Sequence, residues 1–360
     1  MLLSIYSAMN KNRVVVAMSG GVDSATAAYL LKAEGYDVIG INMKLSDAES
    51  KTHRSCCSLE HNIDAERFCE KLGIPFYVLN LKDTFQKEVI DYFVDSYLNA
   101  RTPNPCVMCN DKLKFSTLLD YAGKLDAYYV ATGHYIKKKY ENGVYNLYKA
   151  KDLDKDQTYF LFGLTQAKLE HILFPLGDYT KDEIRNIAQK IDTKISQKPE
   201  SQEICFIPDN NYSGFIKKVV RDLPKEGNIV NTRGEHIGKH EGIHNYTIGQ
   251  RKGLGVASNE PLYVTEINKE KNEVHVGKKE DVLRDSFTAF NCNWINNIPL
   301  NFTAKVRIRY RHTEDKAEIK LSDDKQKAYV KFITPQPSIT PGQVAVVYND
   351  NQMLGGGFIE

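Results

Sequence analysis

Arg13-Val14-Val15-Val16-Ala17-Met18 runs straight into Ser19-Gly20-Gly21-Val22-Asp23-Ser24, and Ala25-Thr26-Ala27-Ala28-Tyr29-Leu30-Leu31 follows. The β-branched run reads as a strand, the paired glycines as a tight turn, and the Ala- and Leu-rich stretch as the start of a helix. A helix N-terminus offers unpaired N–H groups and a partial positive charge, which suit a phosphate. Gly20 and Gly21 permit positive φ and close backbone approach. Ser19 and Ser24 add hydroxyl donors, and Asp23 is placed to reach a metal or orient a nucleotide. A Walker A loop needs a Lys before its final Ser or Thr, and this stretch has none.

The stretch instead resembles the pyrophosphate loop of the ATP pyrophosphatases, which cleave ATP to AMP and pyrophosphate. Working outward, strands are expected at Val14–Met18, Asp37–Met43, Pro75–Asn80 and Ala127–Gly133. Helices are expected at Ser24–Glu34, Asn62–Leu72, Phe85–Asn99 and Leu113–Leu125. This βαβα order implies a parallel sheet with helices on both faces and ligands at the carboxyl ends of its strands. Ser19–Ser24, Met43 and Gly133-His134 all fall at such ends.

Beyond Phe206 the pattern changes. Gly227, Gly234, Gly238, Gly242, Gly249, Gly253 and Gly255 suggest a small connecting domain of short strands and turns. After Val282 the period is two, as in Ala304–Tyr310 and Ala328–Phe332, which fits an all-β barrel or sandwich of roughly eighty residues. The expected domains are 1–208 (catalytic α/β), 209–280 (connecting) and 281–360 (β-barrel).

The 360 residues carry 48 basic and 46 acidic side chains, a net charge of +2, so bulk electrostatics do not announce a nucleic-acid binder. An RNA contact would need local clusters such as Lys137-Lys138-Lys139, Lys217-Lys218, Arg251-Lys252 or Arg307 to Arg311. The Arg307, Arg309, Arg311 alternation would put three guanidiniums on one face of a strand, for phosphate contact or for protecting an exposed edge. No apolar run approaches a membrane span, and the first residues lack the charged start of a signal peptide, so a cytoplasmic location with no membrane partner is expected.

Seven cysteines, an odd count, point in a reducing compartment to thiol or metal chemistry rather than a disulfide framework. Cys106 and Cys109 lie in Arg101-Thr102-Pro103-Asn104-Pro105-Cys106-Val107-Met108-Cys109-Asn110. Cys205 lies in Gln202-Glu203-Ile204-Cys205-Phe206-Ile207-Pro208. The prolines predict a rigid loop up to Cys106 and a helix starting near Cys109 or Asn110, where a thiol gains thiolate character. Cys69, on an apolar helical face, reads as core, and Cys292, beside Trp294, as structural. Cys56-Cys57 after His53 reads as structural or incidental.

Further markers carry the resemblance along essentially the whole chain: Ala131-Thr132-Gly133-His134-Tyr135, Lys155-Asp156-Gln157-Thr158-Tyr159-Phe160-Leu161, Gly249-Gln250-Arg251-Lys252-Gly253-Leu254-Gly255 and Arg309-Tyr310-Arg311. Together with the loop and the two cysteine segments, they resemble the bacterial tRNA-specific 2-thiouridylases. That resemblance implies a PP-loop domain of the adenine-nucleotide α-hydrolase type. It also implies ATP-dependent replacement of oxygen by sulfur at C2 of the wobble uridine.

By the resemblance, Ala17, Met18, Ser19, Gly20, Gly21, Val22, Asp23, Ser24, Met43 and Gly133 bind ATP with Mg2+. Cys205 carries a persulfide, and Cys109 is the nucleophile that resolves it through a transient disulfide. Asn104, Pro105 and Cys106 lie against the target base. His134, Lys155, Asp156, Gln157, Arg309, Tyr310 and Gln343 touch tRNA. The implied partners are a tRNA anticodon stem-loop and a persulfide donor, either a cysteine desulfurase or a relay protein. Many relatives have Asp where this chain has Cys106, so Cys106, Cys109 and Cys205 are also candidate ligands of an iron–sulfur cluster. Zinc on the same thiols is a weaker reading, since no second CxxC completes a usual site. Two other functions compete: an amide-forming ATP pyrophosphatase, and an RNA-binding protein with a degenerate nucleotide site. An N-terminal glutaminase nucleophile is excluded by Leu2, and the intact loop argues against degeneration.

Overall fold

The computed structural model describes residues 9–46, 59–199, 204–207 and 211–360. The chain divides into two compact units. One is Met1–Val89, Cys106–Asn210 and Asn351–Met353. The other is Ile90–Pro105, Asn211–Asp350 and Leu354–Glu360.

The first unit, which also carries the antiparallel hairpin β5 (Ile136–Glu141) and β6 (Val144–Lys149), is built on strands β1 (Asn10–Ala17), β2 (Asp37–Lys44), β3 (Phe76–Asn80), β4 (Ala127–Ala131) and β7 (Ile172–Leu173). They form a five-stranded sheet in the order β3-β2-β1-β4-β7, and every pairing is parallel. Val14, Val15 and Val16 on β1 are fully buried, as expected for a central strand covered on both faces. The strand order reverses between β1 and β4, and such a switch point opens a crevice beyond the strand ends. The helix Val22–Ala33 follows β1, and its alanines Ala25 and Ala28 let it lie close on the sheet beside Phe68, Cys69, Ile184 and Ala188. The expected α/β class with a parallel sheet is borne out.

Two helical stretches differ from expectation. Lys82–Leu98 is helical in three pieces, with a π-helical segment at Gln86–Asp91. The helix expected from Leu113 begins at Pro105, passes through a π-helical segment at Cys109–Thr117 and ends at Lys124. Inside that segment Phe115 leaves helical geometry at φ −115°, ψ 17°. Proline is well suited to the first helical position because its missing N–H is not needed there. Pro105 therefore starts a helix rather than prolonging a loop.

In the second unit, β8 (Gly227–Val230), β9 (His236–His240), β10 (Tyr263–Asn268) and β11 (Glu273–Gly277) form a sheet in the order β10-β11-β8-β9 around Ile229, Val264, Val274 and Val276. The remaining six strands are β12 (Leu283–Trp294), β13 (Asn301–Arg307), β14 (Asp315–Leu321), β15 (Lys327–Pro337), β16 (Val344–Asn349) and β17 (Gln352–Ile359). Their order is β12-β15-β14-β13-β16-β17, and β12 pairs back onto β17 to close a barrel. The period-two pattern is the inside–outside alternation of that barrel, with Val306, Ile319, Val330, Phe332 and Val347 inside.

Closure removes the exposed edge that the arginine alternation was read to protect. The strand also ends at Arg307, so Arg309 and Arg311 lie in the following turn and the three do not share a strand face. Among the described residues no helix is long and apolar enough to cross a membrane.

Candidate nucleotide and sulfur-transfer site

The loop after β1 is held by its own polar groups. Met18 N–H donates to Ile41 O at 2.7 Å, and buried Asn42 donates from Nδ2 to Met18 O at 2.7 Å. Ser19 N–H donates to Ser24 Oγ at 3.1 Å, the two hydroxyls are 3.2 Å apart, and Ser24 Oγ donates to Gly21 O at 3.2 Å. The helix starts with Gly21 as its N-cap and no side-chain cap, so the loop backbone faces the strand ends unobstructed by one.

Gly20 has φ +72°, and a Cβ there would lie 2.3 Å from His61 O. Gly133, just past β4, is equally constrained, since a Cβ would meet Asp23 C at 2.8 Å and Ser24 N at 2.9 Å. The loops after β1 and β4 therefore touch through glycine at the start of the helix. Met43, half-buried, lies near the end of β2. Ala17, Met18, Val22 and Ser24 are buried, and Ser19 is exposed.

Asp23 does not stand alone. Both of its oxygens accept from Lys181 Nζ, at 2.7 and 2.9 Å, and Oδ1 also accepts from Tyr135 OH at 2.7 Å. Lys198 Nζ donates to Gly20 O at 2.8 Å and pairs with the buried Asp64. Neither lysine was singled out from the sequence. They sit 158 and 178 residues from their loop partners, so no local motif could reveal them. Magnesium is bound through one or two carboxylates plus substrate phosphates, and the single carboxylate of Asp23 fits that donor set.

Cys109 is the first residue of the π-helical segment, four residues after Pro105, and so does not sit at a helix N-terminus as expected. It is half-buried, whereas Cys106 is exposed. Asn110 is buried and donates to Phe160 O at 3.4 Å, while Lys168 Nζ donates to Asp111 Oδ1 at 2.6 Å and to Ser116 Oγ at 2.9 Å, stapling the segment. Burial opposes the charge on Asp111, but Lys168 and Lys112 outweigh it and keep its pKa below the ordinary value.

Cys205 is half-buried in a short turn closed by Ile207 N–H to Ile204 O at 3.0 Å. The neighbouring Phe206 ring packs edge-on against Phe85 at 5.6 Å, and Ile207 is buried. Gln202, Glu203 and Pro208 around this turn, and His53, Cys56 and Cys57, lie outside the described residues. Among the described residues no three His, Cys, Asp or Glu side chains converge as a metal would require. Among the described residues, Cys106, Cys109 and Cys205 are thus not part of such a group.

Several residues expected to touch tRNA have internal roles. His134 is buried, with Nδ1 2.7 Å from Thr132 Oγ1; burial, then nearby Lys114, holds its pKa well below the ordinary histidine value. Asp156 is buried and accepts from Thr158 Oγ1 at 2.6 Å and from the Ala150 N–H at 3.3 Å. Gln157 Oε1 accepts from Tyr135 N–H at 2.9 Å, and Lys155 is half-buried. In the second unit, Arg309 Nη1 donates to the carbonyls of Pro337 and Ser338 at 3.2 and 3.4 Å, and Tyr310 is half-buried. Gln343 Nε2 donates to Thr102 O and Pro103 O, each at 3.0 Å, just ahead of the buried Asn104 and Pro105.

A parallel sheet with a glycine loop at its switch point, followed by two β-rich modules, defines a PP-loop type enzyme scaffold. Family models match it in three parts: a tRNA methyl transferase HUP domain over residues 12–209, a tRNA methyl transferase PRC-barrel domain over 213–278, and an aminomethyltransferase beta-barrel domain over 284–359. The tRNA-specific 2-thiouridylase of a Thermoanaerobacter species is 50% identical over 97% of this chain and 98% of its own length. That of Clostridium acetobutylicum is 47% identical over 98% of this chain and 100% of its own. The chain belongs to the tRNA-specific 2-thiouridylase family. A solved 4-thiouridine synthetase–RNA complex with bound ATP is 17% identical with a TM-score of 0.36, covering 58% of this chain and 50% of that one, too distant a likeness to bear on the site.

Proposed function

We propose that this chain is an ATP-dependent tRNA-uridine 2-sulfurtransferase acting in the cytoplasm on the wobble uridine. The observation that carries the reading is the Ser19–Ser24 loop, locked at a strand–helix switch point in a chain matched along nearly its full length by 2-thiouridylases. The C2 oxygen of uracil is a poor leaving group. Attack by that oxygen on the α-phosphorus of ATP forms an adenylated base and expels pyrophosphate, which the loop N–H groups and serine hydroxyls are suited to hold. Met43 and Gly133 flank the nucleotide, and Mg2+ held through Asp23 would offset phosphate charge. Asn104, Pro105 and Cys106 take the base, which must leave the anticodon stack. Tyr310, Arg309, Lys155 and the remaining expected residues guide the anticodon stem-loop.

The terminal sulfur of a Cys205 persulfide, supplied by a desulfurase or relay protein, attacks C2 and displaces AMP. The Cys109 thiolate then attacks Sγ of Cys205, breaking the sulfur–sulfur bond. The electron pair goes to the product thiocarbonyl, and a Cys109–Cys205 disulfide remains. A cellular dithiol returns two electrons and two protons to that disulfide. Release of hydrosulfide by Cys109 before attack on C2 is the alternative order.

The test is anaerobic purification, iron and acid-labile sulfide analysis, and a tRNA thiolation assay with ATP and a persulfide donor. Thiolation without iron, abolished by Cys205→Ser with ATP binding intact, supports the reading. Thiolation that tracks bound iron overturns the persulfide route, and no thiolation in either case reopens the amide-forming alternative.

A further inference from the structure

The loop lacks the lysine that many phosphate loops carry, but the fold delivers one. Lys181 is the first residue of the helix Lys181–Ile191, and its side chain is only 9% exposed. A helix N-terminus repels a cation, and Asp182 and Glu183 behind it are the residue types that position favours. A buried ammonium in that place is costly unless paired, and its partner is the one carboxylate of the loop, Asp23.

The surroundings fix the lysine rather than leaving it to chance. Thr180 and Glu183 form a reciprocal capping box, and Lys181 N–H donates to Asp152 Oδ2 at 2.9 Å. The ammonium lies 5.6 Å from the Tyr135 ring centroid, and the same tyrosine's hydroxyl donates to Asp23. Lys198, the other loop lysine, is committed elsewhere, to Gly20 O and Asp64.

We propose that Lys181 is a substrate-binding residue whose ammonium takes a non-bridging oxygen of the β,γ-pyrophosphate of ATP, and that Asp23 holds it in place between turnovers. The inference rests on the loop's being the ATP site. An arriving triphosphate brings the negative charge that Asp23 otherwise supplies, which frees the Asp23 carboxylate, the group that would hold a magnesium ion. The ammonium then faces the pyrophosphate, where charge grows as the bond to the α-phosphorus breaks. No new bond, electron or proton is required of Lys181.

The experiment measures binding of ATP, AMP and inorganic pyrophosphate to the full-length protein, in the wild type and in Lys181→Met, Lys181→Arg, Asp23→Asn and the double variant Asp23→Asn/Lys181→Met. Lys181→Met is expected to weaken ATP and pyrophosphate by roughly 10–100-fold, as for a lost charge-assisted hydrogen bond, and to leave AMP unchanged. Lys181→Arg recovers part of the loss. The double variant removes both charges of the pair, so no carboxylate is left without its ammonium, and it still binds AMP better relative to ATP than the wild type and Asp23→Asn alone do. Equal weakening of ATP and AMP, or a double variant with wild-type ATP-over-AMP preference, assigns the pair a structural role and overturns the proposal. A wild type that binds neither ATP nor pyrophosphate instead removes the reading of the loop itself.

Discussion

Gln343, in the turn before β16, donates its side-chain amide to the backbone carbonyls of both Thr102 and Pro103 at 3.0 Å. The same turn accepts Thr102 N–H on Pro341 O at 2.8 Å. The segment Arg101–Pro105 is thereby clamped from the barrel rim, immediately before the residues proposed to meet the base. Gln343→Ala should cost about 1–2 kcal/mol of stability for its two hydrogen bonds. Gln343→Glu should cost more, because a carboxylate would face two carbonyls. Thermal unfolding checks the order, and hydrogen exchange at Thr102 should rise in both variants. Thiolation that falls with no such loosening would instead favour direct tRNA contact by Gln343.

Asp64 is only 4% exposed and pairs with Lys194 at 2.8 Å and Lys198 at 2.5 Å. Removing one side of a buried pair strands the other, so Asp64→Ala should destabilise by about 3 kcal/mol. Burial alone would raise the Asp64 pKa, but the two ammonium groups outweigh it and the net shift is downward from 3.8. A lowered carboxylate contributes stability above its unfolded pKa and loses it as pH falls through the folded value. Denaturant titrations below pH 4 should therefore converge for wild type and variant. Divergence there would sink the account.

The described thiols should separate by reactivity. Burial pushes Cys69 and Cys292 up to about 12, and both lie in apolar cores. Cys106 is exposed, and Cys109 and Cys205 are half-buried. Brief alkylation near pH 8, read by peptide mass spectrometry, should mark Cys106 first, then Cys109 and Cys205, and leave Cys69 and Cys292 unmodified until unfolding. Early labelling of Cys69 would contradict the packing of its helix on the sheet.

His134, His171, His240, His244 and His312 are all buried, and burial is the leading cause that lowers each from 6.5. Below pH 6.5 the unfolded chain takes up protons that the folded chain refuses, so stability falls as pH drops. Each fully shifted histidine contributes up to about 1.4 kcal/mol per pH unit. Urea unfolding at pH 7.5 and 5.5 measures the sum. The His134 ring protons should show no NMR titration across that interval; a midpoint near 6.5 would show the ring to be solvated.

What the sequence made legible was local. The strand, loop and helix around Ser19–Ser24 could be read because glycine, β-branched and alanine preferences all agree there. The barrel was readable because its inside–outside alternation is kept along β13, β14 and β15. The core placement of Cys69 followed from its apolar neighbours, whereas Cys292 could be read from its place beside Trp294 only as structural. The start of the cysteine helix was misread because Pro105 both breaks a helix and favours its first position, and only tertiary context chooses between them. The arginine alternation failed because a turn at Ile308 ended the strand that the pattern alone would have continued. Lys181 and Lys198 escaped notice because their importance exists only across the fold.

The segment Cys109–Thr117 closes its hydrogen bonds one residue further along the chain than an ordinary helix does. Loss of a single residue within it would let the helix revert to regular winding, with Leu118–Lys124 keeping its seat in the core. The cost would fall on phase. Regular winding advances by about 100° per residue and π winding by less, so the change of winding alters the bearing of Cys106 and Cys109 around the axis. The surplus residue thus acts as a dial that sets which way the two thiols point, independently of whether the protein folds.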